Sequence, residues 1–316
     1  MWNKLMKYVS IVLVLGICGS AMAADWLGGA GNYSDSTKWS TGVVPVKTDG
    51  AATWVSAGDS DVLINAPQSS FEFFANGGSV TVAAGGNFST QYNVVATANA
   101  SQFNVSGGTA TTGTNLFVGD WGQSIVNLSS GTLNVGDTLI AGAGGSANGT
   151  LNVSGGIMTT AWNWYLGDSG TGTVNVSGGS VVLGHSGMGG NITIGQWGTA
   201  TGNLNVSGGS IIAAGITLSG VAGTGHVSLT GGLLQGNTLA INNIGVSTFD
   251  IAGGTLNLKG DITSLAGVTG NGILGNLQFA YNPGTDFTSI TAIPEPMTLL
   301  LLGAGSFAAF TRRRRS

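Results

Sequence analysis

QFNVSGGT (102–109), IVNLSSGT (125–132), TLNVSGGI (150–157), TVNVSGGS (173–180), NLNVSGGS (203–210), HVSLTGGL (226–233) and TFDIAGGT (248–255) are seven copies of one phrase. The second Gly of the copies falls at 108, 131, 156, 179, 209, 232 and 254, giving steps of 23, 25, 23, 30, 23 and 22 residues. A period in the twenties is the mark of a solenoid. In TLNVSGG, Leu151 and Val153 point one way and Asn152 and Ser154 the other, which is the alternation of a strand with one buried face. A second phrase lies between the copies: LFVGDWG (116–122), LIAGAGG (139–145), WYLGDSG (164–170), ITIGQWG (192–198), ITLSGVAG (216–223) and a worn LAINNIG (239–245). Each repeat therefore carries at least two short strands separated by Gly turns.

One such repeat is too small to bury its own Leu and Val, but a stack of them buries a continuous core, each coil hydrogen-bonding the next. The expected fold is all-β: a right-handed parallel β-helix of roughly 23-residue coils. The Gly-Gly pair is expected to supply positive φ at a corner. The one long step is explained by the extra segment His185–Gly190, expected on a loop between strands. Asn at one place in successive coils should stack into a ladder. Asn104, Asn127, Asn152, Asn175 and Asn205 also form N-x-S sequons. Glycosylation is one reading of them. The other, favoured here, is that a repeating polar turn multiplies a chance match.

Outward from the array, residues 24–101 read as an N-terminal cap with irregular first coils, and 102–288 as the repeat domain, 256–288 being its closing coils. Residues 281–293 read as a linker into the C-terminal sorting segment, assigned to 289–316 together with its linker. Residues 1–23 read as a signal peptide. Lys4 and Lys7 give a basic start, Tyr8 to Cys18 an apolar stretch, and Ala21-Met22-Ala23 a cleavage site after which the mature chain would begin at Ala24. Ile17, rather than a small residue, precedes Cys18, which argues against lipidation. Cys18 is the only cysteine, so the mature protein has no disulfide.

At the other end, Pro294-Glu295-Pro296 precedes an apolar run over 297–310, followed by Thr311 and Arg312, Arg313, Arg314 and Arg315. The arginines resist crossing a bilayer and would stay in the cytoplasm as a stop, leaving everything upstream outside. The run is short beside the roughly 20 residues of a stable membrane helix, which suits a transient anchor. Breaker, apolar helix and Arg run in that order resemble a PEP-CTERM sorting signal. The resemblance implies handling by a membrane exosortase near Pro294-Glu295-Pro296, after signal peptidase has acted at the other end, and delivery to the cell surface or an exopolysaccharide matrix such as a biofilm. An uncut C-terminal anchor is the competing reading. Separately, Trp26, Gly29, Gly31, Asn32, Trp39, Gly42 and Pro45 within 25–45 resemble the opening module of bacterial surface proteins with autotransporter-like repeats, and the GTLNVSGG phrases resemble the repeats of that group.

Charge narrows the function. Between 24 and 293 there are three lysines (38, 47, 259), no arginine and twelve acidic residues, a net charge of −9. Nucleic acid is excluded, since binding it requires cations against its phosphates. Asp120 and Asp168 occupy equivalent Gly-Asp turns and could face one another at a two-coil offset, but an Asp capping a tight turn is the simpler reading. The repeats otherwise lack the clustered ionisable groups that polysaccharide-cutting sites need. No catalytic residues, cofactor or metal site are assigned: the Gly-Asp turns lack the calcium nonapeptide, and His185 has no second His at ligand spacing. Trp121 and Trp197 share one turn position, and with Trp162 and Trp164 they could form a row of indoles that stacks on sugar rings. The leading expectation is a non-catalytic structural or adhesive protein. The alternative is a polysaccharide-active lyase or hydrolase on the same scaffold.

Overall fold

The computed structural model describes residues 23–56, 58–97, 100–184, 189–242, 246–262 and 277–293. Ala21, Pro294, Glu295, Pro296, the apolar run 297–310, Arg312–Arg315 and His185 lie outside the described residues.

Nearly every described element is a strand; a single 3-10 turn, Ser36–Lys38, is the only helical element among them. Each full coil contributes to three parallel ladders. In one coil Asn148–Val153 and Ile157–Thr160 flank a glycine corner, and Trp164–Leu166 follows as the third side. In neighbouring coils the first two sides run through the corner as one bent strand, as in Ser101–Thr112 and Gln123–Val135. The third side builds a sheet of ten strands from Ala24–Asp25 to Thr238–Ile241. The result is an all-β solenoid of about nine turns.

The sequence steps reappear as hydrogen-bonded register. Ser101 pairs with Ser124, Gln123 with Asn148, Asn148 with Thr171, Thr171 with Thr201, Thr201 with Thr224 and His226 with Thr248. The long step is flanked by Ser180–Leu183 on the second side and Asn191–Ile194 on the third. The lengthened connection leaves the ladders on either side in register.

The core is a set of columns of like residues. Phe103, Val126, Leu151, Val174 and Leu204 are paired in succession and have no exposed surface. Leu116, Leu139, Trp164, Ile192 and Ile216 form the facing column of the third ladder. Burying each such side chain is worth on the order of 1.5–3 kcal/mol, so stability is shared among all coils.

Both glycines of the corner are needed, for different reasons. Gly209 has φ +65, a conformation that costs other L-residues free energy. Gly208 does not, but a Cβ there would lie 2.4 Å from the Ser177 carbonyl oxygen of the preceding coil. In the first copy the positive φ moves to Gly107.

The ends depart from the repeat. In the early coils the core is filled by rings: Tyr33 stands edge-on to Trp39 and Phe88, and Phe88 to Phe73, with centroids 4.9, 5.7 and 5.1 Å apart. Trp39 Nε1 donates to the Tyr33 carbonyl at 2.8 Å, fixing the start of the stack. Burial pushes the Tyr33 hydroxyl far above the ordinary phenol range. At the other end, the reading of 281–293 as a linker, and with it the linker portion of 289–316, is corrected. Leu277–Asn282 and Phe287–Ala292 form an antiparallel hairpin, and the second strand also pairs antiparallel with Thr255–Lys259. Thr288 and Ile290 are buried, so this segment is the closing edge of the second ladder, where an antiparallel strand ends a parallel stack.

Candidate functional site

The corner that joins the third ladder back to the first is built from the turns of the second phrase. Successive turns hydrogen-bond in register. The amides of Gly142, Gly167, Gly195 and Ser219 donate to the carbonyls of Val118, Ala141, Leu166 and Ile194 at 2.7–2.9 Å. The first turn position is left-handed throughout, with φ +67 at Gly119, +68 at Gly142 and Gly167, +75 at Gly195 and +60 at Ser219. Stacking brings the next two positions of successive turns into rows, which keep register at Gly144, Trp197 and Val221, while the Ser169 amide turns back to the Gly142 carbonyl. One row is Asp120, Ala143, Asp168, Gln196 and Gly220; the other is Trp121, Gly144, Ser169, Trp197 and Val221.

Trp121 and Trp197 are 73% and 50% exposed. They are three coil steps apart, about 14 Å at the usual strand spacing. A Cβ at Gly144 would lie 3.5 Å from the six-membered ring of Trp121, so that ring lies over the next coil. The Trp197 backbone amide donates to the Asp168 carbonyl of the coil before it at 3.1 Å. Asp120 and Asp168 are two coil steps apart, with Ala143 between them in the row. Desolvation raises the carboxyl pKa of both, partly offset by the neighbouring polar side chains of Trp121 at Asp120 and of Trp197 and Ser169 at Asp168.

The other two indoles do not join this row. Trp164 is fully buried, its Nε1 donating to Thr160 Oγ1 at 2.8 Å. Its pairing with Leu139 and Ile192, both core residues, carried that signal in the sequence. Trp162 is exposed but lies on the corner before the third side, away from Trp121. Sequence reading missed Val221, exposed at the end of the Trp121 row, because its phrase lacks the Gly-x-Trp-Gly pattern.

The sequon asparagines form the expected ladder on the outside of the first side. Asn127 Nδ2 donates to Asn104 Oδ1 at 2.8 Å, Asn152 to Asn127 at 2.9 Å, Asn175 to Asn152 at 2.8 Å and Asn205 to Asn175 at 2.8 Å. Each of these side-chain nitrogens is committed to the coil before it, as a repeating structural ladder requires.

Among the described residues no group of three or more His, Cys, Asp or Glu could hold a metal ion, and no helix is long and apolar enough to cross a membrane. A shallow depression on the second side, lined by Thr111, Asn134, Thr159 and Val182 among others, has no titratable side chain in its wall.

No curated protein and no solved structure matches the chain. A family model does match at the C-terminus, starting on the last residue of the closing strand Phe287–Ala292. Residues 292–315 carry the PEP-CTERM protein-sorting motif, which marks this β-solenoid as an exported protein with a membrane-anchored sorting signal handled by an exosortase.

Proposed function

We propose that the protein is a non-catalytic structural or adhesive component of the bacterial cell surface or exopolysaccharide matrix. In this reading signal peptidase frees the chain after Ala23, and an exosortase processes it near Pro294-Glu295-Pro296. The apolar run 297–310 then serves as a transient membrane helix, with Arg312–Arg315 as its cytoplasmic stop. We take the stack to be right-handed, the hand adopted by about 98% of parallel crossovers within one sheet.

The observation that carries this reading is the fit between the folded unit and its targeting ends. Among the described residues Ala24 is the first paired, opposite Thr53, immediately after the proposed signal cleavage. The last strand among the described residues ends at Ala292, where the sorting motif begins. Between those points the repeats carry Ser, Thr, Asn and Gly at recurring positions and few ionisable residues. A surface that repeats along a rigid rod suits multivalent contact with a repeating polymer better than it suits one reaction centre.

One observation favours the enzyme reading. Asp120 and Asp168 lie roughly 10 Å apart at the usual coil spacing, near the upper end of the carboxylate separation of inverting glycosidases. Both carboxyls are shifted the same way by the same cause, however, so neither is set apart as acid or base. Incubating the purified protein with acidic and neutral polysaccharides separates the two readings. The structural reading predicts binding without new reducing ends or unsaturated products, and release of either refutes it. Mass spectrometry of the mature C-terminus tests processing: a chain ending near Pro294–Pro296 supports it, and an intact Ser316 contradicts it.

A further inference from the structure

We propose that the Trp121–Trp197 corner is a binding track for an extended neutral glycan lying along the solenoid axis. The proposal rests on the structural or adhesive reading above and assigns that reading a site and a ligand class.

The two exposed indoles stand in one row at the ends of a gap two coils wide. The gap is floored by Gly144 and Ser169, small residues that leave its bottom low. Gly145 has open space where a Cβ would stand. Trp121 lies over the Gly144 turn, and Trp197 stands half-exposed at the far end of the gap. Two aromatic faces pre-set on a rigid ladder lose little conformational entropy on binding. The pyranose repeat of an extended glycan is close to one coil step, so one chain laid along the row places sugar rings on both indoles and one or two over the floor between them. Asp168, in the adjoining row, supplies acceptors for the hydroxyl groups of those middle sugars.

Charge selects the ligand. Asp120 and Asp168 flank the track, and the nearest lysines in sequence, Lys47 and Lys259, belong to the far ends of the stack. A polyuronate or a sulfated glycan would meet like charge with no cation to offset it. A neutral polymer meets aromatic faces and hydroxyl-accepting groups only.

The test is affinity electrophoresis of the full chain in detergent, in native gels containing hydroxyethyl cellulose, alginate or no polymer. Wild type should be retarded by hydroxyethyl cellulose and should run in alginate as in the empty gel. Trp121→Ala and Trp197→Ala should each weaken the retardation about tenfold, and the double variant should abolish it. Trp162→Ala, which removes an exposed indole from another corner, should run as wild type. Circular dichroism melts of every variant separate a lost site from a lost fold. Equal retardation of wild type and the double variant, stronger retardation by alginate, or no retardation at all overturns the track. Any of these without product release leaves the structural reading standing, whereas product release overturns that reading whatever the gels show.

Discussion

Val176→Asp measures how dry the inside of the stack is. Val176 is 1% exposed and is paired with Val153 in the coil before and Val206 in the coil after, both fully buried. The introduced carboxylate would face a column of aliphatic side chains. Desolvation of that kind raises a carboxyl pKa by about 3–5 units, and each unit is worth about 1.36 kcal/mol. The ionised form therefore costs about 4–7 kcal/mol beyond the roughly 1–3 kcal/mol of burying the neutral group. The sign follows from the raised folded-state pKa. Below the ordinary carboxylate value of about 3.9 both states are protonated and the cost of ionisation vanishes; it grows as pH rises and is complete above the folded-state pKa. Melts followed by circular dichroism at pH 3 and pH 7, each compared with wild type at the same pH, read this directly. Val176→Asn, which cannot ionise, should carry only the cost of burying a neutral polar group, and equally at both pH values. A Val176→Asp variant that melts with wild type at pH 7, or whose deficit is the same at both pH values, refutes the burial of this position.

Asn152→Ala removes the middle of the amide ladder, leaving Asn127 Oδ1 without its donor and Asn175 Nδ2 without its acceptor; a loss of about 1–3 kcal/mol is expected in urea titrations. Gly209→Ala forces a left-handed conformation and puts a Cβ 2.6 Å from the Gly178 carbonyl carbon, so it should cost more than the roughly 1–2 kcal/mol of the backbone conformation alone, read as a lowered denaturation midpoint. Asp168 has a carboxyl pKa raised chiefly by desolvation, so its ionisation opposes folding above the ordinary carboxylate range and not below it; Asp168→Asn should gain stability relative to wild type between pH 3 and pH 7 in paired melts.

The repeat was legible because a solenoid writes its geometry into the chain one coil at a time. The spacing of the second Gly gives the register of Ser101, Asn148, Thr171 and Thr201 with their partners residue for residue, since one coil's length is the offset of the ladder it builds. The Asn ladder followed from the same periodicity. What lay outside the period was harder to read. Phe287–Ala292 alternates as a strand should, but its partner lies behind the Asn282-Pro-Gly-Thr-Asp286 turn and pairs antiparallel, so no repeat announces it. Trp164 looked like a surface indole beside Trp162, yet a three-residue strand with alternate sides sends it inward and Tyr165 outward. The aromatic filling of the first coils depends on which rings meet across a non-repeating segment, and spacing alone does not specify that.

The central claim is that coils pair at the register of the repeat, including across the 30-residue step. Thr173 and Asn203 are partners there, with Asn203 Nδ2 donating to Thr173 Oγ1 at 3.3 Å on the outer face. In a Cys18→Ser background, Thr173→Cys with Asn203→Cys should close a disulfide under mild oxidation, because adjacent parallel strands fall within the roughly 4.4–6.8 Å Cα separation that a disulfide spans. Thr173→Cys with Leu204→Cys, one residue out of register and on the opposite face, should stay reduced. Efficient closure of the second pair, or failure of the first in a folded protein, would contradict the stack.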